Sequence, residues 1–300
     1  MDGRAGGLLR AALVVGGDVT TTGDNPAREP LRVAAAQIEA AGGDLAGNAA
    51  AHVAAIASAA TRGARLVVFP ELSLCGYDYP LLAADVARCE VEVGDPVLRT
   101  VGQACRAHTV TAVVGGCARR ADGWAIAAFV VGPDGAVAAT YHKRHLDADE
   151  REVFVAGHTD TIVQVRGWRL GLGVCYDASF PEHARGLALA GADAYLVPGA
   201  FTVGDSDHRR GVYFPARALE NTSYVVFANY AGAHGGWRYA GHSAVYGPDG
   251  GALAAAGTAA GLAVADLDDA VLRRQRDSQR MLLDRAAPAP APSPVVIALP

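Results

Sequence analysis

The chain of 300 residues is short of charge: 19% of its residues are Asp, Glu, Lys or Arg, against 51% hydrophobic. A chain so poor in charge and so rich in apolar side chains does not stay disordered. Its length allows one large domain or two ordinary ones. Neither sign of charge dominates, since 26 basic and 31 acidic residues leave a net charge of −5. That balance removes the electrostatic case for nucleic acid or an anionic membrane as the main partner. Long apolar runs are missing as well, and none approaches the roughly 18 residues of a membrane span. The short run after Arg10 breaks at Gly16-Gly17-Asp18, so no secretory signal is expected. The five cysteines, Cys75, Cys89, Cys105, Cys117 and Cys175, are odd in number and contain no CxxC pair. Free thiols in a reducing cytoplasm are the expectation, with one of them available as a nucleophile. The histidines form no metal-ligand array and no phosphate-binding glycine loop occurs, so no cofactor or metal is expected.

What is present is a long alternation of strand and helix. Residues 1–30 lack sustained periodicity and read as a loose extension, and residues 286–300 form a Pro-rich, extended tail. Between them, 31–285 reads as one domain. Strands are expected at 31–38, 65–69, 111–117, 125–131, 137–141, 170–175, 194–197, 223–229, 243–246 and 262–266. Helices are expected at 45–62, 96–108, 181–190, 207–220 and 268–280. Two segments echo each other: FVVGPDGAVAA from Phe129 and AVYGPDGGALAA from Ala244. Each reads strand, Gly-Pro-Asp-Gly turn, strand, because proline presets the first turn position and glycine accepts positive φ. Two matching hairpins predict two similar sheets rather than one, packed as a sandwich with helices on both outer faces.

The densest chemical signal is WRLGLGVCYDASFPE, from Trp168 to Glu182. An apolar strand ends at Cys175, and a helix follows with Pro181 in its first turn and Ser179-x-x-Glu182 as a capping box. That places a thiol on a strand-to-helix turn, where a nucleophile is well presented. Glu71 stands just past the apolar run 65–69, and Lys143 ends the first echoed hairpin. Taken singly, a charge at a strand end is an ordinary solvated loop residue.

Taken together, these residues carry a resemblance. Ala34-Ala-Ala-Gln37, Phe69-Pro-Glu71 with Gly76-Tyr77, and Tyr141-His-Lys143-Arg-His-Leu146 come first. Gly173-Val-Cys175-Tyr-Asp177 with Phe180-Pro-Glu182, Arg217-Ala-Leu-Glu220-Asn221 and Gly241-His-Ser243 follow in order. The chain resembles the nitrilase, or carbon–nitrogen hydrolase, superfamily, in its amidase-like branch, from about residue 31 to about 266. The resemblance implies an α/β fold, a four-layer α-β-β-α sandwich, and a Glu71-Lys143-Cys175 triad. It also implies a second glutamate shortly after the lysine. Alignment on Phe154 and Gly157 favours Glu150, with Glu152 as the fallback.

Such a triad would let Glu71 take the thiol proton, while Lys143 and the Tyr176 backbone N–H meet the negative charge that develops on a carbonyl oxygen. Cleavage of a small amide through a Cys175 thioester, releasing ammonia, is the leading expectation. Cys175-Tyr-Asp177 fits amidases, whereas true nitrilases more often carry Trp and Glu after the cysteine. Nitrile hydrolysis, carbamoyl-amine hydrolysis and acyl transfer use the same triad, and a non-catalytic binding protein is the reading from another class. Tyr77, Tyr79, Phe180 and Phe201 are candidates to line the substrate pocket, and Asp147, Asp205 and Asp207 to attract a substrate amine. Arg209-Arg210 stands where the family often has an aromatic. Arg217 and Glu220 are expected to pair along their helix. A small-molecule amide is the expected partner, and a homodimer or larger homo-oligomer is implied by family habit.

Overall fold

The computed structural model describes residues 27–285. The Pro-rich tail and all but residues 27–30 of the N-terminal extension therefore lie outside the described residues. The first half of the chain runs β1 (Leu31–Gln37), α1 (Leu45–Thr61), β2 (Leu66–Val68), α2 (Tyr79–Asp85), α3 (Pro96–His108), β3 (Thr111–Arg120), β4 (Gly123–Val131) and β5 (Val137–His142). The second half begins with β6 (Ile162–Val165), β7 (Trp168–Leu172), α4 (Pro181–Leu189), β8 (Ala194–Pro198), α5 (Asp205–Glu220) and β9 (Tyr224–Ala228). The two-residue strands β10 (Ala233–His234) and β11 (Trp237–Arg238) come next. Then follow β12 (Ala244–Tyr246), β13 (Ala252–Ala255), β14 (Gly261–Leu267), α6 (Asp269–Ser278) and α7 (Met281–Asp284).

Side-chain alternation along the strands sets the layers. In β1, Val33 and Ala35 turn to one face and Ala34 and Ala36 to the other, and all four are buried. Strands buried on both faces lie in the middle of a sandwich rather than on its surface. Val33, Leu66 and Val113 pack with Leu170, Leu196 and Val226 in a core between two sheets. Outside the first sheet, Val67 and Val114 meet Ile56 of α1 and Val101 of α3. Outside the second, Val197 and Phe227 meet Leu187 of α4 and Phe214 of α5. The result is an α-β-β-α sandwich.

Both sheets have six strands, in the orders β14-β1-β2-β3-β4-β5 and β13-β12-β9-β8-β7-β6. Three central strands in each are parallel, flanked by antiparallel neighbours. The echoed hairpins occupy one edge of each sheet. Their turns match bond for bond: Gly132 N–H to Ala136 O and Gly135 N–H to Gly132 O in one, Gly247 N–H to Gly251 O and Gly250 N–H to Gly247 O in the other. Gly135 and Gly250 hold φ of 81° and 82°, the conformation the sequence assigned to glycine.

Two expectations need correction around Cys175. The strand ends at Leu172, and residues Cys175–Ser179 form a 3₁₀ turn. Helix α4 begins only at Pro181, its N-cap is Phe180, and no side-chain cap bond forms. Ser179 is the last residue of the 3₁₀ turn, so it is not placed to cap α4, and Glu182 is exposed in the first turn. The residue before a proline favours extended backbone, which puts the boundary at Phe180. No helix among the described residues is long and apolar enough to cross a membrane.

Candidate active site

Glu71 follows β2 after Phe69-Pro70 and is completely enclosed. Its N–H donates to Gly199 O (3.3 Å), and Tyr230 Oη donates to its carbonyl (2.5 Å). Close passage of β3 beneath this loop requires Gly115, where a Cβ would come within 2.3 Å of Pro70 O. Ser73 ties the same loop down, since its hydroxyl lies 2.9 Å from His52 Nε2 and accepts from Gly115 N–H at 3.0 Å.

Lys143 is the first residue beyond β5. Strand β5 runs antiparallel to β4, and β4 to β3, so β5 points the same way as β2 and β3, and its C-terminus lies at the same end of the sheet as theirs. Lys143 Nζ donates to Glu71 Oε1 and to Glu150 Oε1, both at 2.6 Å, and all three side chains are buried. A buried ammonium is tolerable only when paired and hydrogen-bonded. Glu150 sits on the 3₁₀ turn Asp149–Glu152, where it also accepts from Tyr77 Oη (3.0 Å) and Asp147 N–H (2.8 Å). Glu152 points away and accepts from the exposed Tyr79 hydroxyl. Of the two glutamates open at the sequence level, Glu150 is the one that meets the lysine.

Two carboxylates sharing one ammonium cannot both be well compensated. Burial pushes Glu71 up to about 7; Lys143 opposes that rise and the Glu150 charge adds to it. Lys143 is held well above its ordinary value because Glu150 and Glu71 together outweigh its burial. The second oxygen of Glu71, Oε2, is buried without a conventional hydrogen bond among the described residues, while the Cys175 thiol helps to stabilise the carboxylate. A carboxyl group near 7 with a free lone pair is suited to accept and return a proton at neutral pH.

Cys175 has φ of 46°. The left-handed region costs an L-residue roughly 1–2 kcal/mol, and such strain persists where the surroundings over-determine it. Here Val174 N–H donates to Asp177 Oδ2 (2.9 Å) and Asp177 N–H to Val174 O (3.0 Å), closing the turn on both sides of the cysteine. Burial, then the Glu71 charge, push the thiol well above its ordinary value, with Lys143 working the other way. The sulfur therefore rests as the neutral thiol. The Tyr176 N–H, next along, forms no backbone hydrogen bond with a described residue.

A cavity of about 390 Å³ opens over these groups. Glu71, Lys143, Glu150, Cys175, Tyr176, Tyr77 and Phe201 all line it. Phe180 does not: its ring stacks on His145 at 4.0 Å and meets Tyr176 edge-on, which takes it out of the expected substrate-binding set. Tyr79 is likewise absent from the lining. Asp147 and Asp205 are at the cavity, whereas Asp207 pairs with Arg210. Arg209 reaches the rim, beside Thr202, Val203 and Trp237, none of which local sequence signals had singled out. Arg217 pairs with Glu220 as expected and also donates to the carbonyls of Ala178 and Ser179, bracing the cysteine turn. Among the described residues, no group of three or more His, Cys, Asp or Glu is placed to hold a metal ion.

The chain is similar to known proteins in sequence and in fold. Residues 32–277 match the carbon–nitrogen hydrolase family. A protein described as "Hydrolase in pqqF 5'region", from Pseudomonas protegens, is 37% identical over 85% of this chain and 89% of its own length. An (R)-stereoselective amidase from a Pseudomonas species is 33% identical over 85% of this chain and 91% of its own. Among solved structures, the amidase from Nesterenkonia sp. AN1, as a double mutant in complex with acrylamide, superposes with a TM-score of 0.76. It is 31% identical, covering 85% of this chain and 94% of that one. A second structure of that amidase, a mutant, shows covalent addition of the acetamide moiety of fluoroacetamide at its active-site cysteine; its TM-score is 0.74, with 31% identity over 86% of this chain and 98% of that one.

Proposed function

Because this chain belongs to the carbon–nitrogen hydrolase family and is a hydrolase of carbon–nitrogen bonds, we propose that it hydrolyses small amides through a Cys175 thioester, with Glu71, Lys143 and Glu150 as its catalytic partners. The observation that carries this reading is the buried Glu71–Lys143–Glu150 cluster facing the same cavity as a thiol on a strained turn. The amidase relatives, and the covalent adduct on the cysteine of the Nesterenkonia enzyme, support it.

Attack forms the Sγ–carbon bond as the thiol proton passes to Glu71. Burial holds the thiol pKa up, so Glu71 is the group that takes its proton for attack. The carbonyl oxygen becomes an oxyanion, met by Lys143 Nζ and the Tyr176 N–H. Donors of this kind are worth about 2.7–4 kcal/mol each. Glu71 then returns its proton to the nitrogen as the carbon–nitrogen bond breaks, ammonia leaves, and a thioester remains. Water, losing a proton to Glu71, attacks the thioester. The carbon–sulfur bond breaks, the sulfur regains the proton, and the carboxylic acid departs. Glu150 keeps Lys143 charged throughout and, with Tyr77 on its oxygen, fixes where the ammonium points. Tyr77 and Phe201 offer aromatic faces to the acyl group.

An ammonia-release screen over primary amides, ω-amides, carbamoyl amines and nitriles, with Cys175→Ala as blank, tests the assignment. Release from amides by the native protein alone supports it. Release confined to nitriles, or equal in the blank, contradicts it.

A further inference from the structure

Asp177, two residues past the nucleophile, is fully buried and does not line the cavity, yet its carboxylate is the most heavily bonded side chain near the site. Oδ2 accepts from Tyr141 Oη (2.7 Å) and Val174 N–H (2.9 Å); Oδ1 accepts from His145 N–H (2.9 Å) and lies 2.8 Å from His145 Nδ1. Tyr141 and His145 stand two residues before and two after Lys143, and Val174 immediately precedes Cys175. One carboxylate thus grips both flanks of the lysine and the entrance to the cysteine turn.

We propose that Asp177 is a positioning residue, acting through Lys143 and Cys175 to hold the ammonium and the thiol at the separation the reaction needs. The inference rests on the hydrolase reading above. Tyr141 Oη also lies 3.0 Å from His183 Nε2, and His183 Nδ1 lies 3.0 Å from Tyr195 Oη, so the network is anchored in α4 and β8 rather than drifting with one loop. Burial opposes the charge on Asp177, but the contacts with His145, His183, Tyr141 and Val174 hold it below the usual carboxylate range. A charged acceptor makes the stronger bonds. An amide in its place has one accepting oxygen and an NH₂ group, so its nitrogen would face one pair of donors. Either the cysteine turn, left-handed at Cys175, would lose the Val174 N–H bond, one of the two that close it, or the Lys143 flank would lose its bonds from His145.

The test uses the full chain and three variants: Asp177→Asn, Tyr141→Phe, and Asp193→Asn as a control in a distant ion pair. Two readouts are normalised to accessible active-site thiol: alkylation of Cys175 by iodoacetamide, followed by intact mass, and hydrolysis of propionamide. Asp177→Asn is expected to lower kcat about 10²-fold, the cost of a misplacement near 1 Å, with KM changed less than about three-fold. Alkylation slows in parallel. Tyr141→Phe moves both rates the same way by a smaller factor, while Asp193→Asn lowers the melting temperature and leaves both rates alone. An Asp177→Asn protein that melts lower but keeps native kcat and alkylation overturns the proposal. If that variant does not fold, unchanged rates in Tyr141→Phe overturn it instead. Native protein that alkylates at Cys175 but leaves every amide intact would sink the hydrolase reading, and the variants' alkylation rates would still decide the role of Asp177.

Discussion

Lys143 meets two carboxylates, Glu71 and Glu150, with every partner buried. At the other end of the sandwich Arg28 and Arg276 share Asp193, while Arg28 and Arg273 share Asp269. One cluster therefore has an excess of anions and the other an excess of cations. In the second, Asp193 also accepts the Arg169 N–H and Asp269 the Arg28 N–H, and the arginines keep part of their surface in water. Every carboxylate oxygen there is occupied. In the first, Glu71 Oε2 has no conventional partner among the described residues and the carboxyl is pushed up to about 7. The two clusters teach that saturation, not burial, separates a fastening from a reactive group: the unsaturated oxygen is the one still able to move a proton.

The comparison breaks most visibly at the lysine. Lys143→Ala leaves two uncompensated buried carboxylates and, on the proposed mechanism, removes an oxyanion donor. A loss of activity of at least about 10²–10³-fold is expected, together with destabilisation of about 3–5 kcal/mol, read from steady-state rates and urea unfolding. Glu71→Gln sharpens it. Turnover is expected to fall about 10²–10⁴-fold without a drop in melting temperature, since the amide carries no charge to bury. Asp193→Asn is the mirror experiment, costing about 1–3 kcal/mol of stability while kcat stays within about two-fold of native.

The smallest effects are the opposed pH dependences of the two clusters. Native Glu71 holds a proton between about 4.5 and about 7 that the unfolded chain has lost, so its contribution makes stability fall as pH rises through that window. Asp269 is held below the usual range by Arg28 and Arg273, which outweigh its burial, so its contribution is present above that range and lost as pH falls through its folded value. Melts of native protein, Glu71→Gln and Asp269→Asn across pH should separate the two slopes. In the same series kcat/KM should rise with pH through about 7, as Glu71 becomes the free base.

Much of this was legible in the chain. Gly-Pro-Asp-Gly announced both edge hairpins, because proline and glycine suit that turn, and helix 96–108 was bounded correctly, with Thr109 as its C-cap. Strand β6 escaped because its four residues, Ile162–Val165, are half-exposed and interrupted by Gln164. Helix α2 opens on Tyr79-Pro80, which reads as a turn until Asp78 caps it by accepting the Leu81 N–H. At the site, Glu71, Lys143 and Cys175 came from motif order, and Glu150 from the alignment on Phe154 and Gly157. Asp177 was quoted in a motif, but its grip on Tyr141 and His145 spans 36 and 32 residues and has no local signature. Phe180 was misplaced for a related reason: the 3₁₀ turn swings its ring onto His145, and nothing in an aromatic's identity says which way a turn will face it.

On the proposed mechanism the acyl group of an amide passes through the sulfur of Cys175. Rapid acid quenching of native protein mixed with a primary amide, followed by peptide mass spectrometry, addresses it directly. A transient mass increase equal to the acyl group is expected, confined to the peptide containing Cys175 and preceding release of the acid. Steady hydrolysis with no adduct on that peptide, and undiminished in Cys175→Ala, would contradict it.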